Sequence, residues 1–203
     1  MKRIVFVLIL SFIASSLQSQ NLKSIIYNWN YLESYLESYS DSTREDLNIC
    51  KTPIVGFWNL TFGMNQAQVS SIVKYKPYLK EPTGLYFEDI SLGGVSFDSA
   101  LISFYKGKLY SSFFTIKELN DDKALRIINS ISEGIVDKYG IPHKVSFNDD
   151  RACYIFWIDK YKNRINLAIE EYYKYSDYKY NISVLYNYNK ISSQKEKDEK
   201  AEF

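Results

Sequence analysis

Two stretches of period-two alternation limit the folds that this chain can adopt. Residues 84–116 contain three alternating runs, LYFEDISL, VSFDSALISFY and KLYSSFFTI, separated by Gly93-Gly94 and Lys106-Gly107. Residues 143–188 contain four more, HKVSF, ACYIFWID, RINLAIEEYY and YKYNISVLYNY. Such alternation between short turns is typical of antiparallel strands that bury one face. In the second run we predict that Ala100, Ile102 and Phe104 face the core, and that Phe97, Ser99, Leu101, Ser103 and Tyr105 share the other face.

A capped helix precedes the first strand group. The segment PIVGFWNLTF is predicted to be extended, and Gly63 then allows a sharp turn into a helix. Asn65 and Gln68 have the spacing of a capping box, and Met64 and Val69 occupy the positions of a hydrophobic staple. The predicted buried stripe of this helix is Val69, Ile72 and Val73.

A second helix separates the two strand groups. In NDDKALRIINSISEGIVDKYGIP, apolar residues recur at helical spacing after Asn120 or Asp121, either of which can cap the start. Gly140 stands at the expected C-cap. The order helix, strands, helix, strands predicts an α+β two-layer domain over residues 51–190, an antiparallel sheet with helices packed on one face. The charged tail, 191–203, lacks an apolar face and is predicted to be disordered.

The N-terminal residues predict export. Residues 1–19 have a basic start, the eleven-residue apolar run IVFVLILSFIA and a small polar end, which is the order of a signal peptide. Cleavage is expected after Ser16 or Ser19, and the alternative is a buried N-terminal helix. No cysteine lies near the cut to carry a lipid anchor, and no later run is long enough to span a membrane. We therefore expect a periplasmic or secreted protein.

Residues 20–50 form a predicted helix followed by a linker. Apolar side chains recur there at spacings of three and four: Leu22, Ile25, Ile26, Trp29, Leu32 and Leu36. This helix either packs on the domain or docks a partner.

Charge and aromatic content indicate the kind of partner. Without Lys2 and Arg3, 23 basic and 24 acidic residues remain, so the net charge of −1 argues against nucleic acid. The nineteen tyrosines suit half-buried strands or a binding surface. The candidate binding surface comprises Tyr172, Tyr173, Tyr175 and Tyr178. The expected partner is another envelope or extracellular protein, and the alternative is a glycan or another small ligand stacked on these rings.

The two cysteines leave two interpretations open. In an oxidising compartment Cys50 and Cys153 can form a disulfide that closes a loop of about 100 residues, worth roughly 4–5 kcal/mol in the chain-entropy model. Alternatively, they are separate buried thiols.

No reactive constellation emerges from the sequence, so we assign no catalytic, cofactor-binding or metal-binding residue. His143 is the single histidine, and we expect Ser146 opposite Cys153 in the hairpin, which keeps His143 away from that thiol. The pairs Asp121-Asp122 and Asp149-Asp150 are explained by a helix cap and a turn, although calcium stays an alternative. The adjacent Glu170 and Glu171 should point to opposite faces of a strand. A hydrolase built from distant carboxylates also stays open.

Three segments carry a family resemblance. LTFGMNQAQVSSIV, LISFYKGKLYSSFF, and IVDKYGIP followed by a tryptophan-bearing strand resemble small exported Bacteroidetes proteins. These in turn are similar to the BamE/SmpA and β-lactamase-inhibitor-protein superfamily. The resemblance spans roughly residues 55–188 and implies an envelope protein that acts by binding, with no catalytic residues to transfer. The long N-terminal segment and the missing lipid-anchor cysteine depart from the lipoprotein members. The sequence therefore predicts an exported, non-catalytic protein-binding or envelope-assembly domain.

Overall fold

The structure is a computed structural model that describes residues 49–148, 151–175 and 177–201. The predicted signal peptide, the predicted N-terminal helix and the pair Asp149-Asp150 lie outside these ranges. The described elements are, in chain order, β1 (Gly56–Phe57), β2 (Leu60–Thr61), α1 (Gln66–Ile72), β3 (Leu79–Glu81), β4 (Gly84–Leu92), β5 (Val95–Tyr105), β6 (Lys108–Leu119), α2 (Asp121–Tyr139), β7 (Lys144–Asn148), β8 (Ala152–Ile158), β9 (Arg164–Lys174), β10 (Asp177–Asn187) and α3 (Asn189–Ala201).

Eight strands form one antiparallel sheet in the order β3-β4-β5-β6-β10-β9-β8-β7, and β1 and β2 form a small separate hairpin. Each half of the large sheet is a four-stranded meander, and the halves meet where β6 pairs with β10. The chain leaves the centre of the sheet at β6 and passes through α2 to reach β7 at the far edge. The predicted combination of helices with an antiparallel sheet is confirmed, and so are all seven predicted strands; the three-residue β3 was not predicted.

Near the start of β5, the alternation of buried and exposed side chains is interrupted, so that the residues before the interruption bury the opposite set of positions. Ala100, Ile102 and Phe104 are buried, as predicted. The prediction for Phe97 is wrong, because this ring is 2% exposed and packs on Phe114 at 5.2 Å between centroids. The regular pairing of β4 with β5 is interrupted between Phe97 and Ser99, opposite Asp89, whose φ is +48°. This irregularity resets the side-chain alternation, so that Phe97 joins the core.

Local hydrogen bonds start α1 as predicted. The Asn65 side chain accepts from the Gln68 N–H at 2.9 Å, and the Gln68 side chain accepts from the Asn65 N–H at 2.9 Å. Gly63 has the positive φ that the turn requires, +91°. Val69 and Val73 are buried, whereas Ile72 is 36% exposed, so its predicted place in the buried stripe is wrong.

The segment predicted to be extended before α1 is instead the β1–β2 hairpin. Trp58 sits in its turn with a φ of +45°, and its ring packs on Phe114 with 4.6 Å between centroids. A side chain at Gly93 would clash with this ring, since a Cβ there would lie 2.3 Å from the Trp58 Nε1. The hairpin therefore caps the first half of the core with aromatic rings.

Helix α2 packs on the sheet through a continuous apolar stripe. Its N-cap is Asn120, whose side chain accepts from the Lys123 N–H at 3.1 Å. The buried residues of the helix are Ala124, Ile128, Ile131, Ser132, Ile135 and Tyr139. At its end Gly140 has a φ of +86°, and its carbonyl accepts from the Trp157 indole at 2.9 Å. This bond joins the end of the helix to β8.

The C-terminal tail was predicted to be disordered, and this prediction is wrong because residues 189–201 form α3. The Asp198 carboxylate accepts from the Lys106 ammonium, the Tyr105 hydroxyl and the Gln194 amide, and these three bonds, that of Lys106 first, lower its pKa to about 2. Tyr105 lies on the face of β5 opposite Ile102 and Phe104. The helices therefore do not all contact one face of the sheet, and the one-face prediction fails for α3.

A buried carboxylate joins three parts of the chain. Asp159 is 2% exposed, and its oxygens accept from the N–H groups of Ile54, Tyr161 and Asn163 at 2.8, 2.8 and 2.9 Å. The Asn163 amide donates to Asp159 at 3.0 Å and to the Ile54 carbonyl at 3.1 Å. Its oxygen accepts from the Asn189 N–H at 3.0 Å. Asp159 and Asn163 thus connect the segment before β1, the β8–β9 turn and the start of α3.

We predict that Asp159→Ala lowers the free energy of unfolding by about 3 kcal/mol, because it leaves several buried N–H groups without acceptors. Urea denaturation followed by circular dichroism measures the change. The matched control is Asp177→Ala, whose carboxylate is 64% exposed and should cost little. Equal losses in the two variants would contradict this role.

Candidate functional site

The β9–β10 hairpin carries a cavity of about 300 Å³, lined by Arg151, Glu171, Tyr172, Tyr173 and Tyr178. Three of the four tyrosines predicted as a binding surface therefore line one cavity. Tyr175 is the exception: it lies at the hairpin turn, is 89% exposed, and does not line the cavity.

The strand register explains how the cavity forms. Tyr178 pairs with Tyr173 across β9 and β10, and the Glu171 N–H donates to the Arg151 carbonyl at 2.7 Å. Directly paired residues, and residues two apart on a strand, share a face. Arg151, Glu171, Tyr173 and Tyr178 therefore lie on the α2 side of the sheet. The rings of Tyr173 and Tyr178 meet edge to face at 5.3 Å.

Helix α2 begins beside this group. Tyr180 pairs with Glu171 and is fully buried. Burial raises the pKa of the Tyr180 hydroxyl, and the carboxylates of Glu171 and Asp121 add to the rise. Since Asp121 is the first residue of α2, the helix covers Tyr180. Tyr173, 61% exposed, stays open to solvent.

One acid and one base face the phenols of the cavity. Glu171 is buried, whereas Arg151 is exposed. Burial raises the pKa of Tyr178; Glu171 and Tyr173 raise it further, and Arg151 opposes them. Both charged groups therefore act on the Tyr178 hydroxyl, and their charges are balanced.

A second candidate surface lies on the opposite side of the sheet, which we call the outer face. One row of directly paired residues crosses six strands there: Tyr86, Leu101, Phe113, Leu185, Asn166 and Phe156. The adjacent row consists of Ser99, Thr115, Ser183, Ala168 and Tyr154. Phe113, in the middle of the first row, is 42% exposed. On the five strands from β5 across to β8 the two rows hold no charged residue, whereas Glu88 in β4 pairs with Ser99 and Lys144 in β7 pairs with Phe156.

Sequence reasoning missed Phe113, Arg151 and the pocket role of Glu171. The signal for Phe113 is present in SSFF, since adjacent residues of a strand point to opposite faces. With Phe114 in the core, Phe113 must face outwards. No sequence signal brings Arg151 to Glu171, because that contact depends on the register of β8 with β9.

Cys50 and Cys153 are both buried free thiols, so the disulfide interpretation is wrong and the alternative of separate thiols describes the structure. The Cys50 N–H donates to the Ile158 carbonyl at 2.8 Å, at the end of β8. Cys153 lies five residues earlier on that strand, on the order of 15 Å away at about 3.3 Å per residue. A disulfide needs Cα atoms within about 7 Å. Burial raises the pKa of Cys50 to about 11, assisted by Asp159, and that of Cys153 to about 12.

The structure keeps the other reactive groups apart. The β7–β8 register differs by one from our prediction: Ser146 pairs with Tyr154, and Cys153 pairs with Phe147. The His143 N–H donates to the Phe156 carbonyl at 2.7 Å, several pairs away from Cys153. Glu170 is exposed and Glu171 is buried, which confirms their opposite directions.

Two further findings apply to the described part of the chain. No three of its histidine, cysteine, aspartate and glutamate side chains are grouped as a metal ion would need. None of its helices combines the length and the apolar character required to cross a membrane.

Comparison with known proteins gives no match: no family model, curated protein or solved structure matches this chain.

We predict that both thiols of the native protein react very slowly with Ellman's reagent at pH 8. They remain protonated, because pH 8 lies below their raised pKa values, and they are buried. On unfolding the pKa falls to about 8.5, so two thiols per chain should react quickly without reductant. Ionisation in the unfolded state also means that stability contributed by these thiols decreases as the pH rises past about 8.5. Fewer than two reactive thiols after unfolding would contradict the free state.

Proposed function

We propose that this chain is an exported, non-catalytic domain that binds another envelope or extracellular protein through its outer face. The observation that carries the proposal is the row Leu101, Phe113 and Leu185, in which three directly paired residues place apolar side chains on the same face. In this proposed domain, α1 and α2 form one layer and the sheet, with its inner face against them, forms the other. It retains the periplasmic or secreted location and the family resemblance inferred from the sequence.

The composition of the outer face supports a protein partner. In an antiparallel sheet with one face open to solvent, the residues that point to the open face are usually polar. Protein interfaces have cores depleted in charge and enriched in aromatic residues. The central part of the two rows, from β5 across to β8, matches that description, since it combines Phe113 and Phe156 with neutral residues and the charges stand only at its ends, at Glu88 and Lys144. Phe113 is the candidate hot spot because it is the exposed ring at the centre.

The lack of charge also defines the partner. A partner that covers these rows should present an apolar, uncharged patch, because an unpaired charge buried against Phe113 would cost free energy. Binding should therefore depend weakly on salt, unlike binding steered by charges. Binding through peripheral charges such as Lys117 and Glu170 would instead weaken strongly as the salt concentration rises.

We predict that Phe113→Ser weakens binding to the partner by at least about tenfold, the usual effect of removing an interface hot spot. The partner would be captured from envelope extract of the source organism with tagged mature protein, identified by mass spectrometry, purified, and titrated calorimetrically. Tyr75→Ser is the matched control, since Tyr75 is 39% exposed but lies outside the outer face. Dissociation constants should change little between low and high salt.

Two results would contradict this proposal. One is equal affinity of the Phe113→Ser variant, the Tyr75→Ser variant and the unchanged protein. The other is self-association of the mature protein in analytical ultracentrifugation that Phe113→Ser abolishes, because the outer face would then bind a second copy of this chain.

A further inference from the structure

We propose that the cavity at the β9–β10 hairpin is a second, independent site, and that it binds a saccharide. Four of its five lining residues, all but Tyr172, lie on the α2 side of the sheet, whereas the protein-binding surface proposed above is the outer face. The site consists of the aromatic wall of Tyr173 and Tyr178 and the charged pair Arg151 and Glu171.

The aromatic wall suits a ring-shaped ligand. Tyr173 is 61% exposed and is supported from the side by Tyr178, whose ring meets it edge to face at 5.3 Å. A ring supported in this way loses little further freedom when a ligand stacks on it. The apolar C–H face of a pyranose can cover the open side of Tyr173, while the phenol hydroxyls of both tyrosines remain available for hydrogen bonds.

The balanced charges select for a neutral, hydroxyl-rich ligand. Glu171 accepts hydrogen bonds, and the Arg151 guanidinium donates them in a planar fork. An anion such as phosphate would be repelled by Glu171, and an amine would be repelled by Arg151. Sugar hydroxyls both donate and accept, so neighbouring hydroxyls can donate to the Glu171 carboxylate and accept from the Arg151 guanidinium at once.

The size of the site limits the ligand. A cavity of about 300 Å³ is at the lower end of small-molecule sites, which fits one or two sugar rings. Tyr175 projects from the hairpin turn outside this cavity and therefore should not contribute, although it is the most exposed of the four tyrosines.

Calorimetric titration of the mature protein with maltose, cellobiose and N,N′-diacetylchitobiose at pH 7 tests this inference. We expect millimolar or tighter binding of at least one disaccharide. Tyr173→Ser should weaken it by at least about tenfold, as should Glu171→Gln, which preserves shape but removes the charge. Tyr175→Ser is the matched control, because it removes an equally large exposed ring two residues away, and should leave binding unchanged.

Three outcomes would overturn the saccharide site. They are no heat from any of the three disaccharides at tens of millimolar, equal losses in Tyr173→Ser and Tyr175→Ser, and binding of inorganic phosphate or ethylamine in place of the sugars. Phe113→Ser separates this test from the preceding one, since it should weaken the protein interaction and leave sugar binding intact.

Discussion

The carboxylate of Asp159 is the constraint on which the arrangement of the first and last segments that the structure describes depends. It is buried at the end of β8 and accepts hydrogen bonds from Ile54, Tyr161 and Asn163. Asn163 extends the network to Asn189, the first residue of α3. A buried network in which every member is satisfied fixes relative positions more firmly than apolar contacts do. The segment that leads into the first hairpin and the last described helix, α3, therefore both rest on one turn.

The two halves of the sheet expose different surfaces because they are covered differently. The β1–β2 hairpin and α1 cover the first meander, and α2 packs against the core of the sheet with its start at Tyr180. Beyond that start the strands β9 and β10 continue, which leaves Tyr173 and Tyr178 open around a cavity. On the outer face α3 contacts Tyr105 and Tyr110, towards one end, while Phe113 remains exposed. Both proposed sites thus follow from the length of the strands relative to the helices.

Local interactions were predictable from the sequence, and contacts between distant residues were not. The capping box of Asn65 and Gln68 involves residues three apart, and Asn120 caps α2 in the same local way, so both helix starts were predicted. Helix α3 has no apolar face, and its contacts with Tyr105 and Lys106 lie about ninety residues away in sequence. The charged composition of residues 191–203 therefore predicted disorder, although these distant contacts hold the helix on the sheet.

The candidate site shows the same division. The tyrosines could be named because aromatic residues cluster at the end of β9 and the start of β10. That they surround Arg151 and Glu171 depends on strand register, which a single sequence does not fix. The register error at Ser146 has this cause too, because the turn sets which residues of β7 and β8 pair. The misplaced Phe97 comes from the irregularity opposite Asp89, where β4 and β5 keep their register but both change the face that each side chain takes.

The edges of the sheet bear on how the protein behaves at high concentration. An open sheet ends in two strands whose outward N–H and C=O groups can pair with another chain and seed fibres. Here both edge strands are short: β3 has three residues, LKE, and β7 has five, KVSFN. Two of the three residues in β3 are charged, and β7 begins with a lysine. The longest and most apolar strands lie inside the sheet, so edge-to-edge polymerisation has little backbone to propagate along.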